Sequence, residues 1–207
     1  DVSETLVNTT ALPVNVIYVY TLGTAGCSNT QNVTVTVNPM PVLTSVLNPA
    51  AICSGTVFSY PPASGTPGTL FSWSRAVVAG ISNPLAIGTG NPNETLVNTT
   101  AVPVVVTYVY TLSANGCTNP TTYAVNVTVN PFPTLTSTLT PPSICSASTF
   151  SYTPTSLAAG TVFSWTRALV AGISNPSASG TGNPKEGLSN TTTSPVTVTY
   201  AYTLAAG

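Results

Sequence analysis

From Val104 to Leu112 the side chains alternate, with Val104, Val106, Tyr108, Tyr110 and Leu112 on one parity and Val105, Thr107, Val109 and Thr111 on the other. A period of two predicts a β-strand. A second copy of this stretch keeps the first set as Val196, Val198, Tyr200, Tyr202 and Leu204, while the other becomes Thr197, Thr199, Ala201 and Thr203. The set that stays apolar is the one expected to face a core. Ser113-Ala114-Asn115-Gly116 then predicts a tight reversal, since Asn-Gly supplies the positive φ angles that short hairpins need. Val125, Val127 and Val129, alternating with Asn126 and Thr128, predict the returning strand. Asn130-Pro131-Phe132-Pro133 ends it, because proline has no amide to donate to a ladder. Asn38-Pro39-Met40-Pro41 repeats that punctuation earlier in the chain.

These strands belong to an internal repeat. ETLVNTT from Glu4 returns at Glu94 and, altered to EGLSNTT, at Glu186; FSWSRAVVAGISNP from Phe71 returns as FSWTRALVAGISNP from Phe163. The period of about 92 residues exceeds that of helical-hairpin solenoids and suits an immunoglobulin-like β-sandwich. The phase predicts three parts: residues 1–40 as the C-terminal part of one repeat, 41–132 as a complete sandwich, and 133–207 as a repeat lacking its last strand. An unfinished sandwich exposes an unpaired edge. The sequence is therefore expected to be a window on a longer or polymeric molecule, completed by covalent continuation or by strand addition from a neighbour. Covalent continuation is preferred, because the Tyr18 and Tyr200 strands would compete for one place. Proline-rich linkers imply a semi-rigid row of domains.

Composition narrows the function. Among 207 residues there is no histidine, and the seven charged side chains are Asp1, Glu4, Arg75, Glu94, Arg167, Lys185 and Glu186. General acid–base chemistry needs groups that titrate near neutrality, so an enzyme is not expected, and no catalytic, cofactor or metal site is assigned. Nucleic-acid binding and electrostatic membrane attachment need clustered Lys and Arg, which are absent. No apolar run approaches the length of a spanning helix, and no charged segment followed by an apolar block suggests a signal peptide. A net charge of −1 leaves little repulsion between copies, so self-association is expected.

Arg75 shares strand parity with Trp73 and Phe71, so its guanidinium would be partly desolvated and would need a partner. Glu94 lies 19 residues on, and Arg167 and Glu186 repeat the spacing; both pairs are expected as ion pairs. Trp73, Trp165, Tyr108 and Tyr200 are read as core aromatics rather than a carbohydrate platform. Met40 and Phe132, each flanked by prolines, are candidates for exposed apolar groups, though packing between repeats is favoured for both. Cys27, Cys53, Cys117 and Cys145 recur at fixed places in the repeat without the close pairs of a zinc site, which makes them disulfide candidates and implies an oxidising compartment. The preferred pairing joins Cys53 to a cysteine expected just past Gly207, ahead of Cys53 with Cys117, and both ahead of Cys117 with Cys145. Asn8, Asn32, Asn93, Asn98, Asn126 and Asn190 each open an Asn-x-Ser/Thr triplet, a pattern that also arises by chance in so Thr-rich a chain.

FSWSR, ETLVNTT, TYVYTLSANGCTN and VNVTVNP together resemble the PKD-like and immunoglobulin-like repeats of giant secreted proteins of Bacteroidota, typically surface adhesins or gliding-associated proteins exported by type 9 secretion. One departure stands out: Ser74-Arg75-Ala76 follows Trp73 in place of the acidic, glycine-rich turn of PKD domains proper, so a calcium site is not carried over. The resemblance implies an extracellular, bacterial cell-surface location. It also implies a role as the structural stalk or filament body of an adhesin, with a carbohydrate- or protein-binding module as the alternative.

Overall fold

The computed structural model describes residues 2–205. It is all-β. A long hairpin of β1 (Val14–Thr24) and β2 (Cys27–Val37) comes first. The middle repeat follows with β3 (Ile52–Cys53), β4 (Val57–Phe58), β5 (Leu70–Arg75), β6 (Ala86–Thr89), β7 (Glu94–Thr95), β8 (Val104–Ala114), β9 (Cys117–Thr118) and β10 (Tyr123–Asn130). The third repeat contributes β11 (Thr149–Ser151), β12 (Val162–Arg167), β13 (Ala178–Thr181), β14 (Lys185–Gly187) and β15 (Ala201–Ala205). Among the described residues no helix is long and apolar enough to cross a membrane.

The fold of the middle repeat is a β-sandwich of the immunoglobulin kind. One sheet has the order β3-β10-β8-β5-β6, with β9 also on β8, and the other is the antiparallel pair β4-β7. Alternation decides what enters the core between them. Along β8, Val106, Tyr108, Tyr110 and Leu112 are buried while Val105 and Val109 are exposed; along β10, Val125, Val127 and Val129 are buried. Phe58 of the facing sheet and Leu96 just past β7 are buried as well. The turn into β9 has Asn115 at φ 51° and Gly116 at φ 79°, the left-handed pair that a two-residue hairpin requires.

By contacts the chain divides into two compact units: residues 1–52, 56–96 and 105–128 form one, and 53–55, 97–104 and 129–207 the other. Within the second, β12 pairs with β13 and β15, and β11 with β14. The alternating stretch expected as one strand over 196–204 is β only from Ala201. In the middle repeat β5 pairs with β8 from Val109 to Ser113, so the earlier half of β8 relies on β10 for its ladder. Among the described residues the third repeat has no counterpart of β10, and Val196–Tyr200 has no ladder to join.

Candidate functional site

In the middle and third repeats an arginine and a glutamate converge on one largely buried cluster. Arg75 ends β5 on the inward parity of Trp73 and is 2% exposed. β7 opens with Glu94, in register with Phe58 of β4. This brings the two side chains into a fork: Arg75 Nε donates to Glu94 Oε2 and Nη2 to Oε1, each at 2.9 Å. The remaining donors are used as well. Nη2 reaches the Pro84 carbonyl at 2.6 Å and Nη1 that of Ala76 at 3.3 Å, while the Tyr108 hydroxyl donates to Glu94 Oε2 at 2.6 Å.

The third repeat rebuilds the arrangement. Arg167 donates to both carboxylate oxygens of Glu186 at 2.9 Å and to the Pro176 carbonyl at 2.6 Å, and Tyr200 donates to Glu186 Oε2 at 2.6 Å. In the first part of the chain the Tyr18 hydroxyl donates to Glu4 Oε1, the glutamate–tyrosine half of the same cluster.

Electrostatics follow the geometry. The bidentate hydrogen bond to Arg75 holds the Glu94 carboxyl below its ordinary value, against burial and with help from Tyr108. The same bond raises Arg75, again against burial. Burial first, and the bond to Glu94 second, push the Tyr108 hydroxyl up. Glu186, Arg167 and Tyr200 shift in the same directions for the same causes. Every one of these shifts favours the state already present at neutral pH, so the cluster is an electrostatic lock with no proton to exchange.

Trp73 stands edge-on to Tyr108, ring centres 5.4 Å apart at 70°, and the Phe58 ring centre lies 5.1 Å from that of Tyr108. The indole rests on Gly88 across the β5–β6 ladder, where a Cβ would lie 2.5 Å from Trp73 Cζ2; Gly180 serves Trp165 in the same way. Both indole Nε1 atoms are buried without a hydrogen-bond partner, a cost of about 1–3 kcal/mol each that the buried ring area must offset. Trp73 and Trp165 are both 8% exposed, which fits core aromatics rather than sugar platforms.

Other expectations come out differently. Tyr108 is fully buried but Tyr200 only half so, because among the described residues nothing in the third repeat stands where the β10 valines cover the middle one. Instead Phe150, Tyr152, Ile173, Leu188, Tyr200 and Tyr202 line a groove of about 750 Å³. Met40 and Phe132 are exposed, at 45% and 68%. Cys117 and Cys145 are joined to no other cysteine, so neither Cys53–Cys117 nor Cys117–Cys145 forms, and Cys27 is unbridged too; the partner expected past Gly207 lies outside the described residues. Cys53 closes β3 and Cys117 opens β9, separate places in the sandwich. Among the described residues no group of three His, Cys, Asp or Glu could hold a metal ion.

Sequence reasoning missed the tyrosine hydroxyl, the Pro84 carbonyl and the glycine beneath the tryptophan. The signal for the first was there: Tyr rather than Phe on an inward parity puts a hydroxyl in the core, and it must find an acceptor.

Residues 50–133 match the family of PKD-like domains. The matched span takes in the Arg75–Glu94–Tyr108 cluster and β3 to β10, so the middle repeat is similar to a PKD-like domain over almost its whole length. No curated protein matches the chain. The third repeat, outside the matched span, carries FSWTR with Arg167 and Glu186 in the geometry of Arg75 and Glu94.

Proposed function

We propose that this chain is a segment of the structural stalk or filament body of an extracellular bacterial adhesin or surface filament, built from tandem PKD-like sandwiches. One observation carries the reading: the charged chemistry of two repeats is spent on the same inward-facing lock, with Arg75 and Arg167 each 2% exposed and held by four acceptor contacts. A module whose buried ionic groups clamp one sheet to another is a spacer, and repeating it makes length. Catalysis has no part in this reading. The resemblance to Bacteroidota surface proteins supports a location outside the cell, reached by type 9 secretion, and the near-neutral Thr/Asn surface favours self-association into fibres.

The groove of the third repeat bears on the alternative, a carbohydrate- or protein-binding module. Its walls are the counterparts of Phe58, Tyr60, Tyr108 and Tyr110, which are core residues in the middle repeat. It has the lining of a sandwich interior rather than of a sugar site. The test is an image of the native assembly. An axial spacing that is a whole multiple of one sandwich length supports the stalk; discrete particles with glycan-array binding lost on mutating the groove would replace it with the binding module.

A further inference from the structure

We propose that Asn93 is an N-glycosylation site, its side-chain amide taking a sugar from a polyprenyl-pyrophosphate-linked oligosaccharide. This goes beyond the stalk reading and does not depend on it. Of the six Asn-x-Ser/Thr triplets, three have the side-chain amide committed to carbonyls, two have the asparagine inside a long strand ladder, and one presents it from a turn.

Asn98 is the clearest case of commitment. It is buried, its Nδ2 donates to the carbonyls of both Val102 and Val129 at 2.8 Å, and its Oδ1 accepts from the amide and hydroxyl of Thr100. A glycan would replace one of those two amide hydrogens and break a bond that closes the loop. Asn8 has the same two donations, to Leu12 and Val37, and Asn190 donates to Ser194; in both, the threonine two residues on is locked to Oδ1. Those asparagines exist to fold the Asn-Thr-Thr loop. Asn126 lies mid-strand in β10 and accepts from Thr107. Asn32 is exposed, but its whole triplet is zipped into the β1–β2 ladder, opposite Val19, Tyr18 and Ile17.

Asn93 differs in its own side chain and backbone: it lies outside any strand, while Glu94 and Thr95 of its triplet pair with Phe58 and Val57 in the short β4–β7 ladder. Among the described residues its exposed side chain makes no hydrogen bond, and neither does the Thr95 hydroxyl two residues on. Its φ of 45° puts it at the crest of a left-handed turn, a conformation that asparagine tolerates better than most residues. The turn is pinned from behind: Asn91 accepts from the Tyr60 amide and donates to Ser59, Pro92 is buried, and Gly90 donates to the Phe71 carbonyl. The triplet thus runs from a rigid, outward-pointing turn into β7, a two-residue strand paired on one edge with β4. In the third repeat the equivalent position is Lys185, which lies in a strand and not in a left-handed turn. The acceptor belongs to the middle repeat alone. A bulky, hydrophilic group is compatible with such a surface turn and with no buried position.

The transfer is a substitution at the sugar's anomeric carbon. The bond from that carbon to Asn93 Nδ2 forms, its bond to the pyrophosphate oxygen breaks, the pyrophosphate lipid leaves with the electron pair, and the amide gives up one proton to a base of the transferase. No oxidant or reductant is involved.

The test is glycopeptide mass spectrometry on the full-length protein from its native source, with non-tryptic cleavage because only three Lys and Arg are present. Peptides spanning Asn93 are expected to carry hexose or N-acetylhexosamine, and peptides spanning Asn98 and Asn126 to be bare. The sugar should disappear in Asn93→Gln and also in Thr95→Val, which keeps the turn asparagine and a β-branched residue in β7; unchanged circular dichroism confirms that both variants fold. A bare Asn93 in the native protein, sugar on Asn98, or sugar that survives Thr95→Val would each overturn the proposal.

Discussion

Arg75 is a fully ionised group in a sandwich core, and its worth depends on what remains if one partner goes. In Glu94→Ala the guanidinium stays buried with only the Pro84 and Ala76 carbonyls to hold it, so the middle repeat should lose about 3–5 kcal/mol in urea denaturation. Replacing both partners, Arg75→Met with Glu94→Leu, should cost far less, because a buried ion pair gains little over apolar packing. The same pair sets an acid limit. Since folding holds the Glu94 carboxyl below its unfolded value, the stabilisation is complete above the ordinary carboxylate range and is lost as pH falls below about 4 through the depressed folded value. Thermal melts between neutral pH and pH 3 should show that loss for the middle repeat, and Glu94→Gln should flatten it. Gly88→Ala should cost about 1–3 kcal/mol by forcing a Cβ into the Trp73 ring, read as a changed tryptophan emission together with a lower denaturation midpoint. Gly88 does not declare such a role in a linear sequence; only the register Trp73↔Gly88 sets the indole on that backbone.

At the scale of elements, β8 and β15 are nearly the same sequence with different lengths of ladder. Alternation settled which parity is inward in both, and that parity is the buried or half-buried one in the structure. It could not settle strand length, because a ladder needs a neighbour. Hydrogen exchange on the 207-residue chain should therefore protect the amides of Val106–Tyr108 and leave those of Val198–Tyr200 exchanging at least tenfold faster. The Asn115-Gly116 hairpin was legible because positive φ at two successive positions has few chemical solutions. Gly116→Ala, at φ 79°, should destabilise the middle repeat by about 1 kcal/mol, measured by urea denaturation.

For the molecule as a whole, charge is too sparse to control association. Seven ionic groups, four of them paired in two buried clusters, leave almost nothing on the surface for salt to screen. Light scattering should accordingly find self-association undiminished between low salt and 1 M NaCl; dissociation at high salt would show that surface charge drives it. The sequence by itself determined the all-β class, the period of about 92 residues, the inward parity of each long strand and the pairing of Arg75 with Glu94. These are consequences of local alternation, turn chemistry and the need of a buried charge for its opposite, all of which are written in nearest neighbours and repeats. Tertiary structure alone decided the rest: Tyr108 joining the ion pair, Gly88 seating the indole, the unladdered stretch before β15, and Asn93 standing clear where Asn98 is locked. Each of those depends on which strands lie side by side across tens of residues, and sequence spacing carries no record of that.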